Sequence, residues 1–491
     1  MTTSAIMHPA RFSPPLPGIS SRSLVIEGKT LAPLVHRYVA RLVDEWPERI
    51  RSLVAQFGSP LNIVLPNVLV ENVDALRAVL REHALPFEMF YGAKVNKSNA
   101  LVRAAVESGI GVDVSSLYEL RDALRCGADG SRLCATGPAK TRVFHAALIG
   151  AGALIAIDSR EEFDDLLSLA CEIAAERPTR ILLRYQPHAY RASRFGMTAA
   201  DLLVCLCRVA AVPEMLQFEG FHFHLSGYRY ESRVEAITEL APLIDAARAL
   251  GLSPRLIDIG GGMPVRYVDS ALYNAFLLNQ READYRHSRV PSSFYPYGGN
   301  LGATEWLDRL LTSSCAPGLS VARYLNRENL TLALEPGRSL VDQAALSVFR
   351  ITRVKSLANG TLVVFAEGSS FSACETWFGS EFLVDPILIA TDEAYEADDS
   401  ARHRGTSRAT VPAYIAGHSC LDEDVITNRY VHFPKRPKAG DLLVYANTAG
   451  YQMDLLENEF HRHPMPCRVV ASFDAAGRMA ISPDVSLEVS A

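Results

Sequence analysis

Residues 87–127 read FEMFYGAKVNKSNALVRAAVESGIGVDVSSLYELRDALRCG, and the alternation inside this stretch decides the fold. An apolar, aromatic run over 87–95 gives way to a segment with helical spacing. A second short run follows at 111–115, and SLYELRDALRCG (116–127) is amphipathic again. Runs that are apolar at successive positions suit strands buried on both faces, and strand–helix repetition gives parallel βαβ units. The unit recurs downstream, with runs at 132–137, 153–158, 180–186, 218–226, 255–260 and 330–336. Helical segments such as EEFDDLLSLACEIAAE (161–176) and VEAITELAPLIDAARALG (234–251) lie between them. Eight such runs predict a closed (β/α)8 barrel, with an open doubly wound sheet as the competing arrangement.

The flanks have a different character. A Pro/Ser-rich leader and a helix over about 31–57 precede the Gly58-Ser59-Pro60 breaker. After Arg338, segments such as GTLVVFAEGS, TVPAYIAGHSC and DLLVYANTAGY are strand-like and separated by turn residues. The predicted fold class is therefore α/β, a TIM-like barrel followed by a mostly antiparallel β domain. The domains are 1–60 (leader and helix, partly packing on the β domain), 61–340 (barrel) and 341–491 (β domain). The connection between Gly262 and the eighth run is long enough to predict an insertion at 265–328, and it contains SSFYPYGGN (292–300). An acidic stretch, TDEAYEADDSARHRGTS (391–407), reads as a loop within the β domain.

Composition narrows the function classes. Forty-nine Lys and Arg against 55 Asp and Glu leave a charge of −6 with no basic stripe, so nucleic acid is not an expected partner. No apolar run is long enough for a membrane span, and the N-terminal stretch lacks the apolar core of a secretory signal. Nine scattered cysteines without a CxxC pair fit a reducing cytoplasm better than a disulfide framework or a zinc site, and no metal is expected.

Barrel active sites lie at the C-terminal ends of the strands, and polar residues gather there in this chain. They are Lys94, Asp113, Thr136, Asp158, Arg184, His222 and His224, the run Gly260, Gly261 and Gly262, and Glu335 with Gly337 and Arg338. Two readings of Lys94 compete: a snorkelling lysine, or an amine of lowered pKa that forms a Schiff base. The glycine run after strand seven and the EPGR after strand eight favour the second, because bare amides there cradle a phosphate. A lysine facing a phosphate site is what pyridoxal phosphate requires. Glu335 then suits the pyridine nitrogen and His224 the ring face, while His222 lies deeper and reads as structural.

At this point the motifs YGAKVN, SSLYEL, ATGPAKT, IDSREEF, SRFGM, GFHFHLSG, IDIGGGMP, LEPGR, GHSCLDED and AGYQMD stand in one order over about 61–460. In this the chain resembles the barrel-type, fold type III pyridoxal-phosphate-dependent decarboxylases, the ornithine/diaminopimelate decarboxylase family. The resemblance implies a homodimer with shared active sites and an amino-acid substrate. It implies that Lys94 carries the cofactor as an aldimine, that His224 stacks on the ring, and that Glu335 pairs with the pyridine nitrogen. Gly260, Gly261, Gly262, Gly337, Arg338 and Tyr451 would hold the phosphate, with Ser226 a further candidate and Asp113 and Arg184 near the ring. Cys420 would reach into the neighbouring subunit's site and return a proton to the substrate. Arg338, Asp422 and Tyr451 would contact substrate, and Arg194 would pair with Asp424 across the dimer.

Three departures from the family pattern bear on the substrate. Leu421 follows Cys420 where relatives carry an acid that binds a distal amine. SSFSACETWFG (369–379) replaces the Arg/Tyr pair of diaminopimelate-type enzymes. HLSGY replaces the usual His-apolar-Gly-Ser order around Ser226. Together with the long connection, this resembles branches that serve siderophore or other specialised biosynthesis. The expected activity is decarboxylation of a diaminopimelate-like, modified or conjugated amino acid. A racemase or epimerase and a non-catalytic cofactor-binding regulator are the alternatives.

Overall fold

The computed structural model describes residues 17–174, 176–372, 380–381, 384–391, 410–456 and 458–484. Most of the Pro/Ser-rich leader, nearly all of the acidic stretch and the second half of SSFSACETWFG lie outside the described residues.

The eight predicted runs form eight parallel strands: β1 (Phe87–Gly92), β2 (Gly111–Val114), β3 (Leu133–Ala135), β4 (Leu154–Ile157), β5 (Thr179–Arg184), β6 (Leu216–His222), β7 (Leu256–Asp258) and β8 (Thr331–Leu334). They close into a barrel in which β8 pairs with β1 and β7. The competing open sheet is thereby excluded. A layer of Phe90, Cys134, Leu154, Ala156, Leu182, Leu256 and Ala333 fills the interior, so the barrel is a packed core with its chemistry at the rim. Ser98, Ser116, Thr141, Ser159 and Thr198 each accept a backbone N–H at the start of the helix that follows a strand. These caps fix the turns that carry the site.

The second unit is a mostly antiparallel sheet containing Ala345–Ser356, Leu362–Ala366, Val411–Ala416, Val425–Phe433, Leu442–Ala446, Cys467–Phe473 and Met479–Pro483. It also takes in Leu61–Val64, which pairs antiparallel with Ala345–Val348 and parallel with Cys467–Val470. The expected start of the barrel at residue 61 is corrected accordingly. The chain enters through the β domain, leaves it by the helix Pro66–Glu82, and begins the barrel only at Phe87.

Two further expectations change. The N-terminal helix begins at Arg37, not near 31. Leu34–Val35 instead pairs with Gly18–Ile19, and the helical stretch is broken by a wider turn over Arg41–Glu45 before Pro47–Phe57. The insertion at 265–328 is two pieces. Val265, Tyr267, Tyr273, Phe276 and Tyr297 join the β-domain core around Phe349 and Ile351. The helices Ala303–Thr312 and Val321–Arg327 return to the barrel wall, burying Trp306, Leu307 and Leu325.

Candidate active site

Lys94 sits on a single 3-10 turn (Ala93–Val95) that continues β1 at its C-terminal end. Its side chain is 37% exposed, and Nζ stands 3.7 Å from Asp113 Oδ2 at the end of β2. Burial opposes the ammonium charge, but Asp113 and Glu335 outweigh it and raise the amine above its ordinary value. The lowered pKa expected for Lys94 is thus reversed, because two carboxylates face it. Asp113 answers the same field: burial first, then Glu335, push its carboxyl up to about 7 against the pull of Lys94. Its Oδ1 accepts a hydrogen bond from Thr136 Oγ1 at 2.7 Å.

Glu335 follows β8 and lies wholly inside the mouth. His224 Nδ1 is 3.2 Å from one carboxylate oxygen, and His222 Nε2 is 3.1 Å from the other. His222 therefore does more than fill space: it is the inner of two imidazoles that grip one carboxylate. Burial raises Glu335, but the two histidines overcome it and hold the group well below the usual carboxylate range. Burial also pushes His222 down to about 4, with Glu335 resisting. Asp258, at the end of β7, goes the opposite way. Burial and the Glu335 charge drive it well above its ordinary value, and its Oδ1 accepts the Gly260 N–H at 2.8 Å.

The glycine turn follows directly. Gly260 and Gly262 have φ of +66° and +81°, which side chains adopt poorly. Gly261 needs its bareness for contact: a Cβ there would lie 2.7 Å from the Glu335 carbonyl oxygen. Arg233 ties the turn to the loop after β6, its Nη2 donating to the Leu225 and Gly227 carbonyls at 2.8 and 2.9 Å and to the Gly261 carbonyl at 3.5 Å. It is fully buried on the helix Tyr230–Ala249, and burial lowers it to about 10.

The β domain closes the other side. Tyr451 donates its backbone N–H to the Val95 carbonyl at 3.0 Å, and Asn96 Nδ2 donates to Ala449 O at 2.9 Å. Tyr451 is thereby anchored beside the Lys94 turn, and its hydroxyl oxygen would meet a Cβ on Gly337 at 3.5 Å. Arg338 lies among the rings of Tyr295, Tyr297 and Tyr451, with its Cζ 5.0, 5.6 and 4.9 Å from their centroids. It donates to Tyr297 Oη at 3.2 Å and to Gly450 O at 2.8 Å. SSFYPYGGN thus supplies a wall of the site.

The remaining expected residues are dispersed. Arg184 pairs with Asp158 at 2.8 Å and lies over the Phe195 ring. Ser226 is exposed, its carbonyl accepting from Tyr190 Oη at 3.4 Å. Cys420 and Asp422 are exposed on a turn of the β domain. Asp424 is only 2% exposed: Oδ1 accepts from Ser370 N and Oγ, and Oδ2 accepts from Ser419 N. That carboxylate organises its own loop. Arg194 covers the ring of Phe195.

Polar residues also occur at the opposite rim, where Arg180 and Arg255 share Glu219 and Arg255 reaches Glu88. Those charges neutralise one another. The C-terminal mouth differs in pairing its charges incompletely, since Asp113 Oδ2 and Asp258 Oδ2 are buried without hydrogen-bond partners.

Sequence reasoning missed Asp258, Arg233, Tyr295, Tyr297 and the His461 neighbour of Cys420. Asp258 was detectable as an acid inside the apolar run LIDIG. Nothing local marks Arg233 among the other charged residues of its helix.

Comparison with known proteins adds four findings. The sequence profile of the family described as "Pyridoxal-dependent decarboxylase, pyridoxal binding domain" matches residues 70–283. An uncharacterized protein of Sinorhizobium fredii, y4yA, is 54% identical over 462 residues, covering 94% of this chain and 98% of its own. A diaminopimelate decarboxylase of Actinosynnema pretiosum is 26% identical over 424 residues, covering 83% and 82%. Among solved structures, diaminopimelate decarboxylase from M. jannaschii in complex with L-lysine shares the fold, with TM-score 0.67, 17% identity and coverage of 89% and 91%.

Proposed function

Because the chain belongs to the fold type III, pyridoxal-phosphate-dependent ornithine/diaminopimelate decarboxylase family, we propose that it removes the α-carboxylate of a modified or carboxylate-bearing amino acid, with Lys94 as the covalent anchor of the cofactor. The observation that carries this reading is the convergence of Lys94, a doubly gripped Glu335 and a bare glycine turn on one barrel mouth.

The donor set fits pyridoxal phosphate. Gly260, Gly261, Gly262, Gly337, Arg338 and Tyr451 would hold its phosphate, and Glu335 its pyridine nitrogen, with His224 against the ring. When bound, the cofactor supplies a protonated pyridine ring that accepts the electron pair left on the α-carbon as carbon dioxide departs. Glu335 serves that chemistry only as an anion, and His222 and His224 keep it one. This favours decarboxylation over the racemase alternative, in which an arginine at the nitrogen would weaken the ring's pull.

Lys94 must be neutral to bond a carbonyl carbon, yet its surroundings favour the ammonium. Asp113, poised near 7 and 3.7 Å away, is the group placed to take that proton. The substrate's distal end is not expected to be a simple ammonium, because the apolar Leu421 follows Cys420. Arg338 within its tyrosine wall suits an anionic or aromatic group instead.

The test is carbon dioxide release from a panel of diamino, dicarboxylic and citrate-conjugated amino acids, run beside loss of optical rotation. Release of carbon dioxide with an amine product is expected. Racemisation without release refutes the proposal. Lys94→Ala is expected to remove both turnover and the near-visible absorbance of the loaded protein; unaltered absorbance refutes the assignment of Lys94.

A further inference from the structure

Cys420 is not isolated. Its Sγ stands 3.1 Å from His461 Nε2, within reach of a hydrogen bond in either direction. His461 and Arg462 both adopt left-handed backbone, with φ of 56° and 59°, in a short 3-10 turn. Two successive non-glycine residues in that region cost energy that a plain surface turn has no reason to spend. Next to the pair, the His418 and His463 rings stack with centroids 3.8 Å apart. His418 Nδ1 accepts the Gly368 N–H at 3.1 Å, so in the neutral ring Nε2 carries the hydrogen. That tautomer gives His418 no free lone pair and argues against a metal centre built from these histidines.

We propose that His461 is the positioning residue for the Cys420 thiol, holding it in its reactive state and restoring its proton after each turnover. The proposal rests on the reading that Cys420 delivers a proton to the substrate's α-carbon. In that step the S–H bond breaks as the C–H bond forms, and the electron pair remains on Sγ. His461, as the imidazolium, then passes its Nε2 proton to the thiolate and is left a neutral ring, and this exposed ring takes its next proton from solvent.

The test uses the full-length, cofactor-loaded protein. Iodoacetamide alkylation of Cys420 is followed peptide by peptide, with the exposed Cys467 as internal reference. Cys420 is expected to react at least about tenfold faster than Cys467, to fall to the reference rate in His461→Ala, and to keep its rate in His463→Ala. Both histidines are exposed, so both variants should keep the parent melting temperature. In turnover, His461→Ala is expected to lower kcat about tenfold at unchanged KM, and to add nothing to Cys420→Ala. Unchanged alkylation in His461→Ala overturns the pair, whatever the enzyme does. Altered alkylation with unchanged kcat overturns its part in proton return. Full kcat in Cys420→Ala overturns instead the reading of Cys420 on which the proposal stands.

Discussion

The charge that Glu335 would offer a pyridine nitrogen depends on a buried histidine beside it, His222, and the state of that histidine can be measured through stability. His222 is inaccessible and held at about 4, against about 6.5 for a free imidazole. Between those values the unfolded chain binds a proton that the folded chain refuses, so this group withdraws stability as pH falls and restores it as pH rises. A depression of that size is worth about 3 kcal/mol when fully expressed, most of it lost between about pH 7.5 and about pH 4.5. His222→Gln removes the titration but keeps an amide N–H that can reach the Glu335 oxygen now 3.1 Å from His222 Nε2. Urea unfolding of both proteins at the two pH values gives a double difference in which groups unaffected by the replacement cancel. The wild type should lose about 2–3 kcal/mol more than the variant on acidification. Parallel losses would mean that His222 is already protonated in the folded protein. Glu335 would then be neutralised by an ion pair, with no net charge left for the ring.

Two other perturbations probe the cradle and the wall. Gly261→Ala places a Cβ 2.7 Å from the Glu335 carbonyl, so either the turn or the strand end must move. Cofactor affinity, read by fluorescence titration of the stripped protein, should fall at least about tenfold with the circular dichroism unchanged. Tyr297→Phe removes the oxygen that accepts from Arg338 Nη1 at 3.2 Å and Gln452 Nε2 at 3.0 Å. It should cost about 1–2 kcal/mol in urea unfolding and raise KM more than it lowers kcat; a change confined to kcat would place Tyr297 in the chemistry rather than in substrate holding.

The barrel was legible because its strands are buried on both faces. Leu154–Ile157 is apolar at every position, and the repetition of such short runs between helical segments is what marks them as barrel strands. Leu61–Val64 carries a similar signal, but its partners at Ala345–Val348 and Cys467–Val470 lie hundreds of residues away. Order along the chain assigns such a strand to the nearest unit, and here that was the wrong one. The N-terminal helix was overextended for a related reason. Leu31 and Ala32 are apolar and buried, but they are buried in extended chain, with the Leu34 N–H donating to the Tyr267 carbonyl.

At the site, sequence identified which groups meet but not their protonation. Chain order places Lys94, Asp113, Glu335 and the glycine turn at strand ends, and the barrel makes all strand ends neighbours. Whether a lysine there is neutral depends on the charges facing it, and those lie on β2 and after β8, not next to it in sequence. Three buried carboxyls within one mouth cannot all ionise cheaply, so they divide. Glu335 keeps its charge because His222 and His224 stand 3.1 and 3.2 Å from its two oxygens; Asp258, whose Oδ1 accepts the Gly260 amide, is driven by burial and the Glu335 charge to hold its proton. Asp113 lies between these extremes because Lys94 offsets part of its burial. Burial and the Glu335 charge push its carboxyl up while Lys94 and the Thr136 hydroxyl pull it back, and the balance leaves it near 7, between its two neighbours.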